Sequence, residues 1–326
     1  MSNILSPLVD SLWEVIILVP KAWDSWGNII YRLVEGKKFE EDGSKQLEKV
    51  KYNFIPIEWF LCDYKLEDKV YYEYVEGGKN SLKVCIGIDI NGKYVWVDLL
   101  NNNHLLVAGA SRWGKSNVIN CMLIGLMKNY TPNEVRFLLC DYKKNDVYMF
   151  KECRHVIENS CAYEDIGFNN QLDWLMIEAD KRADIIREAN KKNFIKYNES
   201  ATDKLIPIIY VIDELVQVCD NDKLKKKLHK VMSLVGSYGI YFIIASQDCT
   251  KEVIGRAKMN ISQTIGLHTR DKSDSDMVIK NGNLEDINIK GRCKIDAEGE
   301  LVEFQSFYME DEEVEAYINE FKNSVN

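Results

Sequence analysis

Residues 104–128, HLLVAGASRWGKSNVINCMLIGLMK, place an apolar run of strand length, a loop bearing two glycines and a helical pattern in direct succession. The loop Gly109-Ala110-Ser111-Arg112-Trp113-Gly114-Lys115-Ser116 has the spacing G-x-x-x-x-G-K-S. In that spacing successive backbone N–H groups and the amino end of the following helix wrap a phosphate, the lysine reaches the β/γ oxygens, and the serine hydroxyl meets Mg²⁺. Chance places the eight-residue pattern in roughly one chain in a hundred of this length, so the strand before it and the helix after it decide the assignment. Gly109 through Asn117 are therefore expected to cradle a nucleotide, with Lys115 on its phosphates and Ser116 on the metal. Arg112 and Trp113 fill variable positions, where side chains can turn away while their amides still face the anion. Arg112 either shares in stabilising the reacting charge or sits in solvent, and the second is the expectation.

The rest of the chain supplies a setting for that loop. EVRFLLCDY (134–142), LIPIIYVIDE (205–214) and IYFIIASQ (240–247) read as further buried strands, and residues 115–128, 168–193 and 222–235 read as helices. Strands that are apolar throughout and alternate with helices predict a mainly parallel sheet flanked by helices, the α/β class. Ahead of the core, SLKVCIGIDINGKYVWVDLL (81–100) alternates about Asn91-Gly92 and predicts a hairpin with a tight two-residue turn. The expected organisation is an N-terminal amphipathic segment and linker (1–50), a small β-rich region (51–100), the nucleotide-binding domain (101–309) and an acidic C-terminal helix (310–326).

Two strand ends add reactive groups. PIIYVIDE delivers Asp213 and Glu214. Asp213 is expected to hold Mg²⁺ through water and Glu214 to orient and deprotonate the attacking water. A glutamate beside the metal aspartate favours an ATP-hydrolysing motor over a GTPase switch, and no NKxD-type guanine-reading motif is evident. GIYFIIASQ ends in Ser246-Gln247, and Gln247 is expected to sense the γ-phosphate or the attacking water. With Lys115, Glu214 and Gln247 form the expected catalytic set.

With 46% hydrophobic residues in 326, the chain can bury a domain of roughly 200 to 250 residues plus an appendage. The nine cysteines include no CxxC pair, and their odd number rules out complete internal pairing, so a reducing cytoplasm is expected, with Cys121, Cys140 and Cys219 as small core residues. The N-terminal segment is too interrupted by Asp10, Glu14, Pro20, Lys21 and Asp24 to read as a membrane span. Its three tryptophans suit docking on another protein, on the body of the chain, or peripherally on the inner face of a membrane. Residues 296–320 carry ten acidic side chains and no Lys or Arg, a surface that would repel DNA and reads as a solvated helix.

As a set, these pieces resemble the FtsK/SpoIIIE branch of the HerA-type DNA-pumping ATPases. LLCDYK (138–143) is similar to the family strand ending Asp-Pro-Lys, with Tyr142 in place of proline. ADKRADIIREANKKNFIKYNE is similar to the family's Met-Glu-Arg-Arg-Tyr helix and Asn-Ile-x-x-Tyr-Asn turn, with Arg182, Asn193, Tyr197 and Asn198 in matching places. YVIDEL and GSYGIYFIIASQD resemble the second carboxylate strand and the Gly-Ile-His-x-x-x-Ala-Thr-Gln strand, and the likeness runs from about Lys93 to Phe307. The resemblance implies a RecA-like P-loop core, ATP and Mg²⁺ as cofactors, and a homohexameric ring threading double-stranded DNA. Family members commonly carry an arginine just before the Gly-Ile strand and another in the last helix; this chain has Gly236 or Ser237, and Asp276. Arg256 and Arg270 are the nearby candidates for an arginine finger. Without the multi-pass anchor and winged-helix module of segregation pumps, the chain resembles a plasmid, phage or conjugative-element motor.

Candidate DNA contacts are Lys191, Lys192 and Lys196, beside Phe194 and Tyr197, where phosphates would be held with little sequence preference; lysines at a helix end also simply complement its dipole. The five lysines of 223–230 lie on an amphipathic pattern and read first as a solvated face. Two functions fit: an ATP-driven DNA translocase, or an ATP-gated coupling or assembly protein that brings cargo to a secretion or conjugation channel and hydrolyses little ATP; in either, residues 1–35 are the segment expected to meet a membrane or channel partner.

Overall fold

The computed structural model describes residues 66–78, 81–255, 257–297 and 299–323, all within the compact unit Leu61–Asn326. The N-terminal segment and Arg256 lie outside the described residues.

The elements in chain order begin with β1 (Val70–Tyr71), β2 (Lys83–Asp89), β3 (Tyr94–Asp98), β4 (Leu105–Ala108), α1 (Lys115–Asn129), β5 (Arg136–Cys140) and β6 (Val156–Ala162). There follow α2 (Asp165–Glu188), α3 (Phe194–Asn198), β7 (Ile208–Ile212), α4 (Leu215–Cys219), α5 (Asp222–Val235) and β8 (Ile240–Ser246). The last are α6 (Lys251–Ile254), β9 (Gln263–Gly266), α7 (Lys272–Val278), β10 (Arg292–Ala297), β11 (Glu300–Tyr308) and α8 (Asp311–Asn323). The strands form one sheet in the order β3-β2-β11-β10-β9-β4-β8-β7-β5-β6, with β1 paired to β11. From β9 to β6 every neighbour is parallel; from β9 through β10, β11 and β2 to β3 every neighbour is antiparallel.

Alternation along the central strands divides the interior into two cores. Leu105, Val107, Ile209, Val211, Tyr241 and Ile243 face α1, while Leu106, Ala108, Tyr210, Ile212, Phe242 and Ile244 face α2 and α5. Burial on both faces is why these strands are apolar throughout. Each such side chain withdrawn from water contributes about 1.5–3 kcal/mol. Cys121 and Cys140 are buried in these cores, and Cys219 is half-buried. The lysines of α5 ride on its outer side: Leu224, Leu228 and Val231 are buried, and Lys227 reaches back to Asp173 at 2.7 Å.

Three local expectations differ from the structure. The β2–β3 turn is three residues long: Asp89 N–H donates to Lys93 O (2.8 Å) and Gly92 N–H to Asp89 O (3.0 Å), with Gly92 at φ 73°. The Asp89 carboxylate, accepting from Asn91 and Lys93 N–H at 2.8 Å each, holds this wider form. Next, the helix expected over 168–193 spans Asp165–Glu188; Asn190 at φ 53° stops it, and the Asn193 side chain, accepting from Lys196 N–H (2.9 Å), starts α3. Finally, the acidic C-terminal stretch is not one solvated helix. It contains most of the β10–β11 hairpin and then α8, which buries Val314, Ile318 and Phe321 against the α1 side of the sheet.

One buried group ties stability to pH. His104, 2% exposed at the start of β4, donates from Nε2 to Met232 O (2.9 Å) and accepts at Nδ1 from Phe242 N–H (3.1 Å). These partners require the neutral ring, and burial drives its pKa down to about 4. Between about 4 and 6.5 the unfolded chain binds a proton that the folded chain refuses, so the contribution is whole above pH 6.5 and lost as pH falls toward 4. The loss amounts to at most about 3 kcal/mol. In urea unfolding, the stability gap between the natural chain and His104→Gln is expected to be widest above pH 6.5 and to narrow toward pH 4; a pH-independent gap would contradict this. Among the described residues, no helix is long and apolar enough to cross a membrane.

Candidate nucleotide site

The phosphate loop leaves β4 at the carboxyl edge of the parallel strands and is moored on both sides. Gly109 N–H donates to Ser246 O at the end of β8 (3.2 Å), and Ala110 N–H donates to His268 O just after β9 (2.8 Å). A Cβ at Gly109 would come within 2.8 Å of Leu267 Cβ, so only glycine permits this approach. Gly114, at φ 100°, makes the turn into α1. Trp113 stacks on the His268 ring (centroids 3.9 Å apart, 27° between planes), and its carbonyl accepts from Gly291 N–H (3.1 Å). Arg112 is exposed and holds φ 70°, left-handed backbone that is uncommon for a side-chain-bearing residue.

At the start of α1, Lys115 is 5% exposed, and its Nζ has no hydrogen-bond partner. Burial lowers its pKa, opposed by Glu214 and Asp213. A buried ammonium without an acceptor at a helix amino end is the arrangement a phosphate would satisfy. The neighbouring Ser116 hydroxyl donates to Asp146 Oδ2 at 2.7 Å.

Asp213, 4% exposed, follows β7 and is held by its N–H on Cys140 O (3.0 Å). Burial, reinforced by the charges of Asp146 and Asp141, pushes its carboxyl up to about 7, against the opposing pull of Lys115. Crowded carboxylates facing a serine hydroxyl are hard oxygen donors, which suit Mg²⁺. Glu214 occupies the N-cap position of α4 without capping it. Instead its Oε1 accepts from Gln247 N–H (3.0 Å), and its Oε2 faces Lys143 at 3.6 Å and Lys115 at 4.0 Å.

The structure thus brings Gly109–Asn117, Asp213, Glu214 and Gln247 to one edge. For Gln247 it is the main-chain N–H, not the side chain, that touches Glu214. Arg270 is exposed just beyond β9, near Asp274, on the phosphate-loop edge. Lys191, Lys192 and Lys196 are exposed at the opposite edge, where the parallel strands begin. Lys196 there pairs with Glu199 at 2.8 Å, and Phe194 packs into the body against Gly239.

The loop after β5 was missed by sequence reasoning. Asp141, 1% exposed, accepts through Oδ1 from Lys143 and Lys144 N–H (3.0 and 2.9 Å) and through Oδ2 from Asn145 and Tyr148 N–H (2.9 and 3.2 Å). So folded, the loop extends Lys143 to Glu214 and Asp146 to Ser116. The one available signal was LLCDYK, an apolar strand ending in an acid and followed two residues later by a lysine.

Comparison with known proteins gives this arrangement its family. The FtsK/SpoIIIE family profile matches residues 66–270, more than half of the 326. The chain belongs to the FtsK/SpoIIIE family. Among curated FtsK/SpoIIIE relatives, the DNA translocase FtsK of Clostridium tetani is 31% identical over 253 residues, 74% of this chain and 34% of the relative. The DNA translocase FtsK of Leptospira interrogans is 28% identical over 255 residues, 74% of this chain and 27% of the relative. The chain therefore spans only about a third or less of these relatives' length. Among solved structures, the pCW3 conjugation coupling protein TcpA, in its monomer form with ATPγS, superposes with a TM-score of 0.68 at 24% identity, covering 80% of this chain and 76% of that one. EssC (ATPases 2 and 3) of Geobacillus thermodenitrificans gives 0.70 at 17% identity, covering 79% and 51%. Both likenesses concern the fold, a helix-flanked, mostly parallel sheet shared with P-loop ATPases.

Proposed function

We propose that this FtsK/SpoIIIE protein is an ATP-driven translocase that moves double-stranded DNA through a homohexameric ring, in plasmid, phage or conjugative-element transfer. The observation that carries the reading is the buried Lys115 ammonium, free of hydrogen bonds and 4.0 Å from Glu214, at the amino end of α1. ATP with Mg²⁺ would supply the scissile anhydride and the countercharge. Lys115 and the loop amides bind the phosphates, while Ser116 and Asp213 hold the cation. Glu214 takes the proton of a water at a carboxylate oxygen, and the Gln247 N–H fixes that carboxylate. An arginine from a neighbouring subunit, Arg256 or Arg270, completes the charge stabilisation, and Lys191, Lys192 and Lys196 meet the DNA backbone.

Phosphate release measured with and without double-stranded DNA tests this. DNA is expected to stimulate hydrolysis several-fold at low salt, with the stimulation fading as salt rises. Hydrolysis indifferent to DNA at low salt overturns the translocase reading and favours the ATP-gated coupling protein.

A further inference from the structure

The Ser116 hydroxyl carries one proton, and the structure spends it on Asp146. The Ser116 Oγ to Asp146 Oδ2 distance is 2.7 Å, within the range of a strong hydrogen bond to a carboxylate. A hydroxyl that donates to a carboxylate turns its lone pairs away from that partner and gains electron density on oxygen, the state in which it binds a hard cation best. The backbone that carries Asp146 is also held in place independently of Ser116. On one side the Asp141 carboxylate gathers the N–H groups of Lys143, Lys144, Asn145 and Tyr148. On the other, Val147 and Phe150 of the following 3-10 turn (Val147–Glu152) are wholly buried. The carboxylate is thus carried to the helix start by a loop anchored around it.

We infer that Asp146 is a positioning residue for the metal-binding hydroxyl: it accepts the Ser116 proton and so orients and polarises the oxygen offered to Mg²⁺. The inference rests on the reading of Ser116 as a metal ligand. It adds a role that neither the phosphate loop nor the Asp213-Glu214 pair contains, on a residue five positions past Asp141. Asparagine at this position would retain the shape but lose the charge, and its amide can donate to Ser116 and turn the hydroxyl proton toward the metal.

The test is Mg²⁺-dependent binding of a fluorescent N-methylanthraniloyl derivative of ADP, with EDTA as the metal-free reference and thermal melting of each unliganded variant as the check on folding. Asp146→Asn is expected to raise the half-saturating Mg²⁺ concentration about tenfold or more, the loss typical of outer groups that orient metal ligands. Binding in EDTA is expected to be no weaker than in the natural chain. On a Ser116→Ala background the same substitution is expected to add little, because the hydroxyl through which Asp146 acts is gone. Unchanged Mg²⁺ dependence, or an equal loss in both backgrounds, overturns the inference while leaving the nucleotide site standing. Absence of Mg²⁺-dependent binding in the natural chain overturns the site reading and this inference together. Where Asp146→Asn lowers the melting temperature, Asp146→Glu supplies the comparison: it keeps the charge but displaces the oxygens, so lost Mg²⁺ affinity supports the inference and full affinity contradicts it.

Discussion

Glu214→Gln is expected to lower ATP turnover at least a hundredfold while leaving nucleotide binding intact or tighter. Glutamine has nearly the same volume as glutamate, and its carbonyl can still accept the Gln247 N–H that now meets Oε1 at 3.0 Å. What disappears is the basicity, and removal of a positioned general base typically costs a factor of about 10²–10⁴. The charge has a second consequence. Glu214 is 4% exposed, and its Oε2 is a nearby countercharge for Lys115, whose ammonium lacks a hydrogen bond. Phosphates must compete with that carboxylate for the lysine, so neutralising it relieves the competition. Steady-state phosphate release and equilibrium binding of ATPγS, measured side by side, separate the two effects. Turnover within about threefold of the natural chain would remove Glu214 from the base role. A purely structural Glu214 would instead show itself as a fall in melting temperature with turnover and binding declining together; its side chain already makes no cap to α4.

How much of this site could be read from the sequence follows from how local each requirement is. The phosphate loop was legible because its geometry is made within eight residues: Gly109 must pass Leu267, and Gly114 must take φ 100°. Asp213 and Glu214 were legible because a strand buried on both faces is apolar without interruption, so its carboxyl end is marked by the first acids. Asp146 was not, because a carboxylate in the polar stretch Lys143-Lys144-Asn145-Asp146 looks like surface until the Asp141 turn folds it back onto α1. β11 escaped for a related reason. Its first half, Glu300–Glu303, is acidic and largely exposed, and only from Phe304 does it enter the core, so charge concealed a strand. The break between α2 and α3 hinged on Asn190 adopting left-handed backbone, which an asparagine allows but does not impose. The lysines of the α3 turn show the limit of reading charge from composition: Lys196 is engaged by Glu199, while Lys191 and Lys192 are exposed.

The edge that carries those lysines depends on one buried arginine, and Arg182→Met is expected to destabilise the fold by about 2–4 kcal/mol, chiefly through the carbonyls that lose their donor. Arg182 is 4% exposed on α2. Its Nε donates to Glu178 Oε1 (2.8 Å), one terminal nitrogen to Tyr238 O (3.0 Å) and the other to Ile206 O (2.8 Å). Ile206 precedes β7 and Tyr238 precedes β8, so a single planar fork joins the helix to the starts of two central strands. Methionine fills the space but leaves two half-buried carbonyls without this donor, at about 1–2 kcal/mol each, the lower part of the range for an unsatisfied group. Glu178, 21% exposed at its side chain, can turn to water and adds less. In a domain of this size the expected fall in melting temperature is on the order of 10 °C. Arg182→Lys is expected to recover little, because one ammonium cannot span carbonyls on two strands and the carboxylate as well; a lysine variant melting with the natural chain would contradict the fork. The damage is also directional. The phosphate loop lies at the other end of the parallel strands, so Arg182→Met at a temperature where it remains folded is expected to leave nucleotide binding largely intact, and on the proposed DNA contact at Lys191, Lys192 and Lys196 any response to DNA is expected to weaken first.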